Sequence, residues 1–147
     1  MRTVHTDIII DTIKDMCIEA NYVLSNDISS RIISAEKNED NVIGKQILGQ
    51  LVTNMEIAKE EKIPICQDTG MATVFIQLGQ DVHIEGMSLN DAVNEGIRRG
   101  YYDGYLRKSI VKDPIMRVNT GDNTPGVIHY DIINGEDIII TVATQSF

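Results

Sequence analysis

Ile63-Pro64-Ile65-Cys66-Gln67-Asp68-Thr69-Gly70-Met71-Ala72-Thr73-Val74-Phe75-Ile76-Gln77-Leu78 is where this 147-residue chain changes character. Upstream, apolar residues recur with the 3.6-residue period of helices; downstream, β-rich runs take over. Pro64 ends the upstream helix, because the residue before a proline is pushed out of the α region. Met71 to Leu78, bounded by Gly70 and Gly79, reads as a strand at least half buried. Helices first and strands after predict an α+β fold with a mixed sheet. Between the halves stand a thiol, an amide, a carboxylate and a hydroxyl in succession, Cys66 to Thr69. Loops held by rigid neighbours often carry chemistry. A soft thiolate beside a carboxylate suits iron–sulfur ligation with acid–base help, or a nucleophilic cysteine.

Working toward the N-terminus, Ile43, Ile47, Leu48, Leu51, Met55 and Ala58 form the stripe of a long helix, and a shorter one is expected from Asp27 to Lys37. Ile9, Ile13, Met16, Cys17, Ala20 and Leu24 give a first helix one apolar face. Cys17 lies on it and reads as a small buried hydrophobe. Toward the C-terminus, Gly79-Gln80-Asp81 is a turn before a short strand at Val82-His83-Ile84. Ser88, with Asp91 three residues on, then caps a further helix. That helix carries Gly96, Gly100 and Gly104 on one face. Each glycine costs about 1 kcal/mol against alanine, so another backbone or a cofactor region is expected close by; the bland alternative is a frayed helix. Finally, Val127 to Ile133 and Asp137 to Ala143 flank Asn134-Gly135, which predicts a C-terminal hairpin.

Composition bounds the function. With 42% apolar and 24% charged residues, residues 1–147 are expected to form a single domain. A net charge of −9 disfavours nucleic acid and anionic membranes as partners. No apolar window reaches the length of a bilayer, and the first residues lack a signal peptide's core. Two cysteines are too few for a disulfide framework and fit a reducing, cytoplasmic setting. There is no Cys-x-x-Cys, and His5, His83 and His129 are scattered, so no zinc site is expected from this chain alone. Walker and dinucleotide signatures are absent. Three polar clusters remain: Cys66 to Gly70, the basic run Arg98-Arg99 with Arg107-Lys108, and Asn119 to Gly126. Singly, each has an ordinary reading as a turn, a solvated helix face or a connection.

Together they carry more. Pro64-Ile65-Cys66-Gln67-Asp68-Thr69-Gly70, Gly104-Tyr105-Leu106-Arg107-Lys108-Ser109 and Val118-Asn119-Thr120-Gly121-Asp122-Asn123-Thr124-Pro125 resemble the α subunit of class I, iron–sulfur-dependent fumarate hydratases. The related L-tartrate dehydratase α subunit is similar. The resemblance runs from the first helix to about Ala143. It implies a [4Fe-4S] cluster held by three cysteines, with an open iron acting as Lewis acid in the reversible hydration of fumarate to (S)-malate. Carried over by motif, Cys66 is a cluster ligand, and Gln67 and Asp68 face the substrate, with Asp68 the proton-transfer candidate. Arg107 grips a carboxylate of the small dicarboxylate, a task suited to a planar guanidinium. Thr120 is a weaker substrate-binding candidate; Thr69 and Asn119 are others.

The resemblance also implies what this sequence lacks. The family continues past the strand ending near Ala143 into a glycine-rich loop and a further half with two more cysteines. Here the sequence reads Ala143-Thr144-Gln145-Ser146-Phe147. The expectation is an N-terminal portion of an α subunit, inactive alone, with residues 144–147 a non-native tail. Its partners would be the remainder of α and a β subunit, and an uncovered final strand would favour oligomers. Two other readings stand beside this one. One is a self-sufficient cysteine enzyme with Cys66 as nucleophile and His83 or His129 as base; the other is a non-catalytic interaction fragment.

Overall fold

The computed structural model describes residues 1–145; Ser146 and Phe147, half of the expected tail, lie outside the described residues. In chain order the elements are β1 (Arg2–His5), α1 (Thr6–Tyr22), α2 (Asn26–Asn38), α3 (Val42–Glu61), β2 (Met71–Gly79), β3 (Val82–Glu85), α4 (Leu89–Asp103), β4 (Val127–Ile133) and β5 (Ile138–Gln145). This is the α+β class with a mixed sheet that the sequence predicts. The chain divides into two compact units, Asn21–Cys66 and the remainder.

The Asn21–Cys66 unit is built on α2 and α3. Asn41 starts α3, its side-chain oxygen accepting the amides of Ile43 and Gly44 at 3.0 and 3.1 Å. The helix ends at Glu61. Lys62 turns left-handed at φ 54° and donates its amide to the Ala58 carbonyl. The predicted apolar stripe of α3 splits in two. Leu48 and Met55 are half-buried, whereas Ile43, Ile47 and Leu51 stay 69%, 53% and 46% exposed. Of α3 only Ala58 is buried, and α2 buries nothing. Two helices side by side hide one strip each, and this stripe is wider than that strip.

In the second unit, β1 pairs with β3 in parallel, Arg2 opposite Val82 through His5 opposite Glu85. The sequence does not signal β1, because its four residues gain strand character only from a partner eighty residues away. The other sheet has the order β4-β2-β5. Here the predicted hairpin is corrected. The Asn134-Gly135 turn exists, with Gly135 at φ 93°, but β4 and β5 do not pair. β2 lies between them, parallel to β4 and antiparallel to β5. Ala72, Val74 and Ile76 make β2 the most buried strand of the sheet, as befits the centre, flanked on both edges. The turn instead spans the end of β2, where the Gly79 amide donates to the Asp137 carbonyl at 2.8 Å and the Asp81 amide to that of Gly135 at 3.0 Å. A Cβ at Gly79 would sit 2.8 Å from the Asp137 carbonyl oxygen, so a side chain does not fit beneath the turn. Thr144 and Gln145 continue β5 opposite Ala72 and Met71.

The core of this unit gathers Ile9, Ile10, Ile13 and Cys17 of α1, Ala92, Val93, Ile97 and Tyr101 of α4, and Ala72, Val74 and Ile76 of β2. Ser88 caps α4, accepting the Asp91 amide at 3.1 Å and donating to its carboxylate at 2.6 Å. The glycine face of α4 meets α1. A Cβ at Gly96 would lie 2.8 Å from the Ile10 carbonyl, and one at Gly100 2.9 Å from that of Lys14. The close backbone expected from the glycine spacing is therefore α1, and α4 is unbroken to its cap at Gly104.

Candidate functional site

The segment that carries Cys66 is pinned within its own unit. The Asn54 side-chain amide donates to the Ile65 carbonyl at 3.0 Å, and the Ile65 amide donates to the Asn21 carbonyl at 2.9 Å. Cys66 itself is an exposed, free thiol. Cys17 is fully buried, and burial pushes its thiol up to about 12. The sequence expectation for Cys17 holds: it is a core residue and stays protonated.

Gln67 is exposed and opens the second unit. Asp68 folds the chain into an Asx turn, its carboxylate accepting the Gly70 amide at 3.1 Å. Gly70 follows at φ 64°, a conformation glycine adopts without strain. Thr69 is buried, and its hydroxyl donates to the Arg107 carbonyl at 3.0 Å. Two of the predicted site residues, Asp68 and Arg107, are thus brought together through the residue between Asp68 and Gly70. From below, the buried Tyr101 hydroxyl sits 2.9 Å from the Thr69 carbonyl and 3.2 Å from that of Gly70.

The third polar cluster closes over the same place. The Thr120 amide donates to the Ile110 carbonyl at 2.9 Å, placing Thr120 beside the segment that follows Arg107. Asn119 donates to the Lys108 carbonyl at 2.8 Å while its oxygen accepts the Gly121 amide at 2.7 Å. Asn123 is fully buried at φ 63°. Its side-chain oxygen accepts the amides of Ser109 and Ile110 at 2.7 and 3.1 Å, and its nitrogen donates to the Gly70 carbonyl at 3.0 Å. Burial raises the Asp122 carboxyl. The Thr124 amide and hydroxyl at 3.0 and 2.8 Å outweigh that, with Arg98 adding to the effect, and hold it below its usual range. The hydroxyl of Thr120 acts on it in the same sense.

Positive charge is distributed less evenly than the sequence suggests. Arg98 and Arg99 both pair with Glu95 at 2.6 Å. Lys108 lies over the Tyr102 ring, 5.0 Å from its centre. Arg107 is exposed, and neither it nor Lys108 makes an ion pair among the described residues. His129 stacks on Phe75 on the open face of the sheet, rings 4.9 Å apart. Among the described residues no three His, Cys, Asp or Glu side chains are grouped so as to hold a metal ion. One exposed thiol fits an iron–sulfur cluster as a single ligand; the set that would hold the group is not within these residues. No helix described is long and apolar enough to cross a membrane.

The sequence does not single out Tyr101 or Asn123. The only signal was the run of turn-forming residues from Asn119 to Gly126, which marks a loop without saying which side chain turns inward.

A family model described as fumarate hydratase (Fumerase) matches residues 10–147. A protein named as a candidate L(+)-tartrate dehydratase subunit alpha in Methanocaldococcus jannaschii is 31% identical over 127 residues, 82% of this chain and 44% of its own. The anaerobic class I fumarate hydratase of Escherichia coli K12 is 33% identical over 95 residues, 63% of this chain and 17% of its own. The L(+)-tartrate dehydratase subunit alpha of Escherichia coli UTI89 is 28% identical over 123 residues, 81% of this chain and 40% of its own. The chain therefore spans less than half the length of these relatives.

Proposed function

This chain belongs to the fumarate hydratase (Fumerase) family, and from that membership we propose that it is the N-terminal part of the α subunit of a dicarboxylate hydro-lyase. The observation that carries the reading is the joining of the Asp68 turn to the Arg107 segment through the Thr69 hydroxyl. It supports the reading by tying the turn of Asp68, two residues after the exposed thiol, to the backbone of Arg107, whose side chain is exposed and in no ion pair among the described residues.

In this reading Arg107 binds one carboxylate of the substrate through two parallel N–H donors. Gln67 hydrogen-bonds the substrate, and Thr120 supports it from the adjoining loop. Dehydration removes a proton from one carbon and hydroxide from the next; Asp68 takes or returns that proton. Cys66 would be one ligand of a [4Fe-4S] cluster, which would supply Lewis-acid chemistry for loss of the hydroxyl. Because these residues offer one thiolate, the other ligands come from the remainder of an α subunit, a β subunit completes the enzyme, and the chain alone is inactive. The exposed Ile43, Ile47 and Leu51 agree with a larger oligomeric assembly. A thiolate ligand exposed to solvent is best kept in a reducing compartment, which favours the cytoplasm.

Fumarate and (S)-malate are the primary substrate pair. Tartrate is the second reading, favoured by the greater share of this chain that the tartrate dehydratase relatives cover. Anaerobic reconstitution of the complete enzyme with iron and sulfide, followed by assays on malate and tartrate, separates them. Cys66→Ser is expected to remove both the visible absorbance of the cluster and turnover. Full turnover by that variant would falsify the ligand role.

A further inference from the structure

We propose that Asn123 is the positioning residue that sets the Arg107 segment against the Asp68 turn, an inference that rests on the hydro-lyase reading of this site. The Thr69 hydroxyl joins the two segments at the Arg107 carbonyl. Asn119 and Thr120 also hold this segment, at the Lys108 and Ile110 carbonyls, but among the described residues those bonds tie it to the loop after it and not to the Asp68 turn. The Asn123 side chain supplies the missing constraint. Its oxygen holds two successive amides, Ser109 and Ile110, immediately downstream of Arg107, and its nitrogen holds the Gly70 carbonyl, two residues past Asp68. Three hydrogen bonds from one fully buried amide therefore span both edges of the site. A buried amide is costly unless it is so satisfied, and an apolar residue of the same size would leave the Ser109 and Ile110 amides without their acceptor and the Gly70 carbonyl with the Tyr101 hydroxyl alone. The backbone suits the task as well: φ 63° at Asn123 is a conformation asparagine tolerates and branched residues do not.

Asn123 touches neither a proton-transfer group nor a ligand; it acts through the direction of Arg107. Displacing an arginine that grips a carboxylate equally in the ground and transition states raises KM and leaves kcat nearly unchanged. A purely structural role would instead lower the amount of folded enzyme and leave KM alone. Asn123→Gly keeps the positive φ without strain and deletes all three bonds. Asn123→Asp keeps an acceptor for the Ser109 and Ile110 amides and loses the donor to Gly70.

Two measurements decide it. Amide hydrogen exchange on the 147-residue chain is expected to accelerate at Ser109 and Ile110 in Asn123→Gly and to stay slow there in Asn123→Asp. In the complete reconstituted enzyme, KM for the dicarboxylate is expected to rise about tenfold or more in Asn123→Gly, with kcat within about threefold, and to rise less in Asn123→Asp. Unchanged exchange in Asn123→Gly overturns the tie itself. Faster exchange with an unchanged KM overturns the positioning role while leaving the hydro-lyase reading intact. A wild-type enzyme that dehydrates neither malate nor tartrate overturns that reading, and the inference with it.

Discussion

Two cysteines of identical chemistry are set apart by their surroundings. Cys17 faces Gly100 in the packed contact of α1 and α4, and its thiol is pushed up to about 12 because water cannot reach a thiolate there. Cys66 is exposed. Iodoacetamide at pH 8 is expected to label one site, Cys66, in the folded chain and both sites in denaturant, read by peptide mass spectrometry. Labelling of Cys17 under native conditions would show that the α1–α4 contact opens. Cys17→Ser puts a hydroxyl where no water can satisfy it and is expected to destabilise the chain by about 1–3 kcal/mol. At this scale the sequence already tells much. Periodicity placed Cys17 on an apolar face, and resemblance picked out Asp68 and Arg107. It is silent on Asn123 and Tyr101, because a buried hydrogen bond is made by two segments that meet only after folding, and nothing local to either residue encodes the other.

Elements show the same division between local and distant causes. The capping pair of Ser88 and Asp91 and the stop before Pro64 are legible because each is settled within one helical turn. The exchange of a predicted hairpin for β2 insertion is not, since a turn signal fixes a chain reversal but not which strand fills the gap. Glycines in helices test how far packing overrides propensity. Gly96→Ala and Gly100→Ala each gain about 1 kcal/mol of helix propensity. Both press a methyl to within 2.9 Å of an α1 carbonyl, which backbone cannot easily yield. Overpacking of that kind costs about 1–3 kcal/mol, so the net effect is expected to be a loss of up to about 2 kcal/mol. Gly49→Ala in α3 meets only the Glu36 side chain, at 3.5 Å. It is expected to gain about 0.5–1 kcal/mol. Urea titrations of the three variants give the comparison; stabilisation by Gly100→Ala would mean that α1 and α4 are not locked together.

For the whole molecule the governing quantity is charge. Twenty-two acidic against thirteen basic side chains leave −9, and compaction brings those charges closer together. Ion pairs oppose this, but the His5–Asp7 and N-terminus–Glu136 pairs are exposed at both partners, and such pairs contribute little. Glu95 is better sheltered. Hydrogen bonding from Arg98, then from Arg99, holds its carboxyl below the ordinary 4.5, as Thr124 holds Asp122 below 3.8. For both groups the unfolded chain binds more protons through the window beneath those values. Their stabilisation is therefore complete above the window and is lost as pH falls through it. Glu95→Gln is expected to flatten the acid limb of a stability–pH curve below pH 4.5. At neutral pH repulsion among the unpaired carboxylates outweighs the exposed pairs, so salt should stabilise rather than weaken the fold. Raising NaCl from about 10 to 150 mM shortens the screening length from about 30 to 8 Å, less than typical spacings between surface charges. Tm followed by circular dichroism is expected to climb by a few degrees across that range. A fall would mean that the pairs centred on Glu95 and Glu136, and not the excess of negative charge, dominate the electrostatics of the folded chain.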